Sequence, residues 1–430
     1  SPHDPSVIYY GSQYMMKSTD RGVTWEVLSE DLTRNNKEHQ GLGGVPISNE
    51  QITAESYNNI FNIEESLIQQ GVIWVGSDCG LVHVTRDGGE SWTNVTPKGL
   101  KESIINVVEP SRFDPAAAYI AVAGYKMNDF TPHIYKTKDY GKTWKKIVNG
   151  IPGNTFARTV REDPDRQGLL YAGTETGVFV SFDDGEHWQP LQNNLPEVPI
   201  TDLRVTQKDL VVATQGRALW ILDDLTPLHQ ISDEVVNADY YLYKPRDAYR
   251  GLTRAFSING DQGENAPGGV QITYVLNEEV DEDVPMSMEI LDNTGKVVYS
   301  EFTDAPKSEC DQYRKKQLKR SAGANTFTWN MRVGEFDCIK ELAMTNPDLS
   351  AYDAAPGQYK VRFKVGDFIQ TQDFEIKIHP KIEKTIPNAA AAYREAEQLA
   401  ASILEGAEEM SEGVRTLRQA KRQLDFIMEV

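Results

Sequence analysis

Three acidic residues stand at corresponding points of a repeated pattern. Asp78 follows the apolar run 72–76, Asp129 follows the run 118–124, and Glu175 follows the run 169–173. Two carboxylates roughly 5–10 Å apart, one of them holding a proton, can cleave a glycosidic bond. Brought together by the fold, any two of these three could do that chemistry. Asn128, Gln215 and Arg217 occupy matching loops and could contact a ligand without reacting with it. The candidate ligand-binding set is therefore Asp78, Asn128, Asp129, Glu175, Gln215 and Arg217, with the three acids as its weak catalytic candidates. Other chemistries lack their residues. Cys79 has no histidine or base pattern beside it and reads as a small buried residue. No Cys-x-x-Cys or His-x-x-x-His spacing offers a zinc site. The acidic run 278–283 lacks the spaced ligands of a calcium loop and reads as a solvated hairpin. No metal and no cofactor is expected. Cys310 and Cys338 fall in one later domain and could pair.

What must position these residues is a repeat. Four segments read Ser18-Thr19-Asp20-Arg21-Gly22-Val23-Thr24-Trp25, Thr85-Arg86-Asp87-Gly88-Gly89-Glu90-Ser91-Trp92, Thr137-Lys138-Asp139-Tyr140-Gly141-Lys142-Thr143-Trp144 and Ser181-Phe182-Asp183-Asp184-Gly185-Glu186-His187-Trp188. The shared pattern is Ser/Thr-x-Asp-x-Gly-x-x-Trp. An Asp side chain accepts bonds from backbone N–H groups just ahead of it and closes a tight turn. The Gly supplies a positive φ that other residues adopt at a cost. The Trp opens the next strand with a large apolar body and one N–H to satisfy. Asp20, Asp87, Asp139 and Asp183 are thus structural turn-formers rather than acids.

The flanks repeat as well. Two short strands precede each turn: 7–11 with 14–17, 72–76 with 81–84, 118–124 with 133–136, and 169–173 with 178–180. A short strand follows each Trp, and a leading strand precedes three of the sets, at 59–64, 104–109 and 156–161. A fifth unit, 202–206, 210–214 and 218–222, has no Asp turn. Short, evenly spaced strands with Gly-rich turns predict a β-propeller of four-stranded blades. The Asp turns then join third to fourth strands on one face. The loops holding Asp78, Asp129, Glu175 and Gln215 join second to third strands on the other. The long insertion 33–57 shares that second face.

The turns resemble those of the Asp-box (BNR) propellers, which include sialidases, tandem-propeller xyloglucanases and the sortilin-type luminal domain. The stretches Asp78-Cys79-Gly80-Leu81-Val82-His83-Val84, Glu109-Pro110-Ser111-Arg112-Phe113-Asp114-Pro115 and Thr214-Gln215-Gly216-Arg217-Ala218-Leu219-Trp220-Ile221-Leu222-Asp223-Asp224 look like a bacterial sortilin-like or "glycosyl hydrolase" BNR family. The resemblance covers residues 1–228 by motif and extends more weakly to the C-terminus. It implies an extracytoplasmic protein, secreted, periplasmic or on the cell surface. It also implies either a scaffold that binds protein, peptide or glycan within a cell-envelope or secreted assembly, or a glycoside hydrolase. A sialidase would need an arginine triad, and Arg158, Arg204 and Arg217 are too dispersed to make one.

The first unit lacks its leading strand and the fifth a clear closing strand, leaving eighteen strands, not a multiple of four. The expectation is four to five blades of a larger ring. The missing N-terminal propeller blades lie upstream, in the same protein or a separate chain, and this chain is the C-terminal part of something longer. A net charge of −20 argues against a nucleic-acid partner. No run approaches the ~18 apolar residues of a membrane span.

Beyond the blades (1–228), a linker at 229–240 leads to alternating runs at 270–276, 286–291, 297–302, 326–332, 357–365 and 371–378, inside a domain spanning 241–380. They predict an immunoglobulin-like β-sandwich. An Ala-, Glu- and Leu-rich tail, 387–430, places Met410, Val414, Leu417, Leu424 and Met428 at helical spacing. It predicts an amphipathic helix N-capped by Asn388, broken or folded back near Gly406 and Gly413, with its stripe packed on the protein. The fold class is all-β with a small α C-terminal segment.

Overall fold

A computed structural model describes residues 1–40, 57–251, 267–303, 318–335 and 350–428. Cys310, Cys338 and most of the 33–57 insertion lie outside the described residues. The chain divides into two compact units, Ser1–Leu225 and Thr226–Val430.

The first unit is a sector of a β-propeller built from five antiparallel meanders. Blade one holds β1 (Ile8–Gly11), β2 (Met15–Ser18) and β3 (Glu26–Val27). Blade two holds β4 (Ile60–Glu65), β5 (Ile73–Ser77), β6 (Val82–Thr85) and β7 (Thr93–Asn94). Blade three holds β8 (Ile104–Pro110), β9 (Ala118–Ala123), β10 (His133–Thr137) and β11 (Lys145–Lys146). Blade four holds β12 (Ala157–Glu162), β13 (Leu170–Thr174), β14 (Val178–Ser181) and β15 (Gln189–Pro190). Blade five holds β16 (Ile200–Thr206), β17 (Asp209–Thr214) and β18 (Leu219–Leu222). Blades one and five have three strands and the others four, as the repeats predict. β5, β9 and β13 are buried along their whole length. Both of their faces are covered, each by a neighbouring blade, so they read as apolar runs without alternation.

The Asp turns have one geometry. In each, the Ser/Thr hydroxyl accepts from the motif Gly N–H, at 2.7 Å for Ser18 and 2.9–3.0 Å for Thr85, Thr137 and Ser181. The same hydroxyl donates to the Asp carboxylate at 2.7–2.9 Å. The Asp also accepts the backbone N–H four residues on, at 2.8–2.9 Å. The residue before the motif Gly is itself left-handed: Arg21, Tyr140 and Asp184 have φ of 58–61°. Such a conformation costs a non-glycine residue of order 1 kcal/mol, and the surrounding bonds hold it there.

These turns also lock blade to blade. The indole N–H of Trp92 donates to the Leu28 carbonyl at 3.0 Å, that of Trp144 to Val95 at 2.6 Å, and that of Trp188 to Ile147 at 3.0 Å. Each acceptor lies three residues past the Trp of the preceding blade. The motif Gly sits over the side chain of the same acceptor residue: a Cβ on Gly141 would lie 2.6 Å from Val95 Cβ. The Gly is therefore needed for close approach as well as for its φ. Hydrophobic clusters fill gaps between sheets, with Met15, Ile60, Ile73 and Val75 joining blades one and two, Trp74, Val84, Ile105 and Ile120 joining two and three, and Ile134, Ile147, Val160 and Phe179 joining three and four.

The second unit begins with two short helices, α1 (Thr226–Gln230) and α2 (Asp233–Val236), where the sequence reads as the end of the blades followed by a linker. Ser232 caps α2 by accepting from Val235 N–H at 3.4 Å. A sandwich follows. One sheet orders β19 (Tyr240–Leu242), β21 (Val270–Leu276) and β24 (Gly323–Trp329). The other orders β20 (Ala248–Arg250), β28 (Phe368–Ile378), β27 (Gly357–Val365), β22 (Met286–Leu291) and β23 (Val297–Phe302). A two-stranded ribbon, β25 (Arg332–Glu335) with β26 (Ser350–Asp353), completes it. The core between the sheets centres on Trp329, Tyr274, Phe363 and Phe374, all essentially inaccessible. β20 pairs in parallel with β28, a departure from a purely antiparallel sandwich.

After α3 (Pro380–Thr385), α4 runs unbroken from Ala389 to Met428. Gly406 and Gly413 neither break it nor fold it back. Neither residue is needed for a turn there, and a Cβ at either would meet nothing within 4 Å. The expected packing of the stripe on the protein is also corrected. Met410, Leu417, Leu424 and Met428 are exposed, and Ala389 and Ser411 are the buried residues of the helix. Glu397 ties the helix to the sandwich by accepting from Ala355 N–H at 3.1 Å. Asn388 stands at the helix start with φ 57°, and its carbonyl, not its side chain, accepts from Ala391 and Ala392 N–H. No helix among the described residues is long and apolar enough to cross a membrane.

The lock predicts a position-dependent cost for one substitution. Trp188→Phe strands the buried Ile147 carbonyl and should destabilise the chain by about 1–3 kcal/mol. Trp25→Phe, at an indole 44% exposed and bonded only to its own Gly22 carbonyl, should change stability by less than about 0.5 kcal/mol. Equilibrium urea unfolding of the two variants checks this; equal losses would contradict it.

Candidate functional site

The six sequence candidates lie on one rim of the sector, opposite the Asp turns. Asp78 sits between β5 and β6, Asn128 and Asp129 between β9 and β10, Glu175 between β13 and β14, and Gln215 and Arg217 between β17 and β18. The same end of each innermost strand carries a β-bulge, between Ile60 and Asn62, Ile105 and Val107, Ala157 and Thr159, and Ile200 and Asp202. The extra residues are Phe61, Asn106, Arg158 and Thr201. Bulges re-aim side chains at the rims of sheets, and these four recur at one level around the sector.

The three acids meet different fates. Asp129 is bound within its own loop: it accepts from Thr131 N–H at 3.0 Å and Thr131 Oγ1 at 2.6 Å, and pairs with His133 Nε2 at 2.8 Å. Partial burial alone would push its carboxyl up, but these bonds outweigh it and hold it at about 2. It is a carboxylate with its oxygens engaged. Glu175 pairs with Arg158, the bulge residue of blade four. Asp78 accepts from Asn58 N–H at 3.1 Å and Asn59 N–H at 2.9 Å. Burial nevertheless dominates those bonds and raises its carboxyl to about 6. Asp78 therefore holds its proton to a higher pH than an ordinary carboxyl group.

Gln215 and Arg217 are exposed in the β17–β18 hairpin, where Gln215 N–H donates to Pro199 O at 2.9 Å. Asn128 is exposed, with φ 58°, and ends a single 3₁₀ turn at Tyr125–Met127. Cys79 is fully buried, its thiol 3.1 Å from Ser77 Oγ and 3.2 Å from Arg34 N, and burial raises its pKa.

Two features of the site were not read from the sequence. The first is an aromatic shelf. Tyr125 stacks on buried Phe156 at 5.1 Å between ring centres, Phe130 lies 6.3 Å from the same ring, and the Arg158 guanidinium sits 5.1 Å over it. Tyr125, Met127 and Phe130 are exposed. Tyr125, Met127 and Phe130, spaced among polar residues of the β9–β10 loop, were the available signal, because a hairpin loop on a rim has no core to fill.

The second is an axial charge ladder. Two positions beyond each bulge, the innermost strands carry Glu64, Glu109, Arg161 and Arg204, each opposite the second strand at the same register as Trp74, Tyr119, Tyr171 and Val211. Arg161 staples three blades: Nη1 pairs with Glu109 at 2.8 Å, Nη2 with Asp202 at 2.8 Å, and Nε donates to Leu203 O at 3.0 Å. Burial pushes Glu64 and Glu109 up, with Arg161 pulling both the other way. Burial works against the Arg161 charge, but Glu109 and Asp202 outweigh it. Aligning the repeats on their bulges exposes this ladder; reading each strand alone does not.

No family model matches the chain. A 91-residue stretch is 32% identical to the xyloglucanase Xgh74A of Acetivibrio thermocellus, covering 19% of this chain and 11% of that protein. A 112-residue stretch is 29% identical to a probable oligoxyloglucan-reducing end-specific xyloglucanase of Neosartorya fischeri, covering 25% and 14%. The matched stretches thus span only a small part of either relative. Among solved structures, the GH74 enzyme of Niastella koreensis superposes with a TM-score of 0.35 at 12% identity, covering 52% of this chain and 29% of that one.

Two outcomes follow from the electrostatics. Because the folded-state pKa of Asp78 is raised, its contribution is fully present below the unfolded value near 4 and is lost as pH rises through about 6. Asp78→Asn keeps an oxygen acceptor for Asn58 and Asn59 but removes the charge. Its Tm should match the parent at pH 4 and exceed it at pH 7; a constant offset would contradict the assignment. Arg161→Met leaves Glu109 buried without its partner and should cost about 3–5 kcal/mol, much of it recovered in Arg161→Met with Glu109→Leu. Urea unfolding of the single and double variants measures this.

Proposed function

We propose that the protein is an extracytoplasmic propeller scaffold that binds glycan chains on the rim opposite the Asp turns. The observation that carries this reading is the shelf of Tyr125, Phe130 and Arg158 around Phe156, with Tyr125 and Phe130 left exposed. A flat aromatic face covers the apolar face of a sugar ring while neighbouring polar groups take its hydroxyls. Asp78, Asn128, Gln215 and Arg217 on the same rim are suited to that second role. The partial likeness to xyloglucanases supports a polysaccharide ligand, and a polysaccharide ligand suits a cell-envelope or secreted setting.

The carboxylates favour binding over cleavage. A glycosidase needs one protonated and one available carboxyl group across the scissile bond. Asp129 and Glu175 are each held in a local pair. The elevated pKa of Asp78 favours one second reading: a hydrolase in which Asp78 is the acid and its partner carboxylate comes from outside this set.

An array of plant and bacterial polysaccharide oligosaccharides, with a peptide library printed alongside, tests the proposal. Tyr125→Ala and Phe130→Ala should each weaken glycan binding roughly tenfold or more, whereas Asp139→Ala on the far face should leave it unchanged wherever that variant remains folded. Binding to peptides alone, or glycan binding indifferent to both aromatic variants, would overturn it. Turnover of reporter glycosides that disappears in Asp78→Asn would establish the hydrolase instead.

A further inference from the structure

The two outer faces of the propeller sector carry apolar side chains at positions that are sealed everywhere else in the repeat. On blade one, Ile8 and Tyr10 occupy the register positions of Ile73 and Val75 in blade two. Ile73 and Val75 are 0% and 1% exposed because they face blade one; Ile8 and Tyr10 are 40% and 56% exposed. On blade five, Leu219 and Ile221 pair with Ala213 and Val211 as Val178 and Val180 pair with Gly173 and Tyr171 in blade four. The two valines are 2% exposed, and Leu219 and Ile221 are 70% and 59% exposed.

The polar half of the interface is left open in the same way. Trp92, Trp144 and Trp188 each donate to a carbonyl of the preceding blade, but the Trp25 indole turns back to the Gly22 carbonyl at 3.1 Å and rests against Tyr10 at 5.9 Å. At the other end, Arg161 donates to the Leu203 carbonyl of the next blade, while Arg204, its counterpart in blade five, is exposed. β1 also has no strand on its inner edge within its sheet, where β5, β9, β13 and β17 each have one.

We infer that these two faces are docking surfaces for further propeller blades of the same Asp-turn repeat, one of which contributes an innermost strand to β1. The occupant is specified by continuity with the blade interfaces already described. A preceding blade would place the carbonyl three residues past its own Trp within reach of Trp25 Nε1, and the side chain of that residue over Gly22. A following blade would lay its apolar second strand on Leu219 and Ile221 and offer a first-strand carbonyl to Arg204. A second copy of this chain could bury the apolar area head to tail, but it brings no innermost strand for β1. The inference stands on the faces themselves and not on the proposed ligand.

Photo-crosslinking tests it directly. A benzoylphenylalanine is placed at Val27, and separately at Ile221, in the protein produced in its own cells, and the crosslinked peptides are sequenced by mass spectrometry. Both positions should capture peptides from a Ser/Thr-x-Asp-x-Gly-x-x-Trp blade outside this sequence. Capture of residues 1–225 of a second copy would replace the inference with self-association. As a second readout, acrylamide quenching of the protein from its own cells, taken as the difference between parent and Trp25→Phe, should show the Trp25 contribution at least several-fold less quenched than in the isolated 430-residue chain. Equal quenching in the two preparations would overturn the inference whatever the crosslinks show.

Discussion

The propeller sector depends on a contact that is not within any blade. A tryptophan at the end of one Asp turn donates its single N–H to a carbonyl of the blade before it, and the glycine of the same turn leaves room for the side chain below that carbonyl. Four-stranded sheets of this size cannot bury their own faces. The lock sets the spacing at which neighbouring sheets close their apolar gap, and it repeats wherever the motif does. Once the spacing is set, the innermost strands come near enough for Arg161 to reach both neighbours, and the bulges point their extra residues at one rim. Stability and the placing of the candidate site are thus products of one repeated interaction.

The lock also separates two faces by role. The Asp carboxylates are saturated by local donors, and the bonds from Thr24 and Ser18 hold Asp20 at about 2. Acids used this way hold turns together and have little left to offer a substrate. The opposite rim has bulges in the innermost strands β4, β8, β12 and β16, exposed aromatics and Asp78, whose carboxyl burial raises. Function on propellers can change through those loops without disturbing the lock, which is why the repeat is strong evidence of architecture and weak evidence of chemistry.

Much of the architecture was legible because it is local. The Asp turns, the strands at 270–276, 286–291 and 357–365, and the shortage of strands in the first and fifth units all follow from residue types over fewer than ten positions. What was not legible depends on phase between distant segments. The bond from Trp144 to Val95 links residues 49 apart, and nothing at either end announces the other. The ladder from Glu64 to Arg204 emerges only when four strands are aligned on a bulge that has no sequence marker. Asp129 and Glu175 looked equivalent to Asp78 by position, yet a histidine four residues on and an arginine across the hairpin gave them different chemistry. In α4, Gly406 and Gly413 looked like breaks because glycine is costly in a helix, but roughly 1 kcal/mol each is small against forty residues of continuous backbone bonding.

The rim opposite the Asp turns is the proposed meeting place of this protein and its ligand. Hydroxyl-radical footprinting with and without a saturating xyloglucan oligosaccharide tests it most directly, because each modified side chain is mapped individually. Protection should concentrate at Tyr125, Met127 and Phe130, with Trp92 and Trp144 unchanged. Protection confined to the Asp-turn face, with Tyr125 and Phe130 oxidised equally in both states, would contradict it.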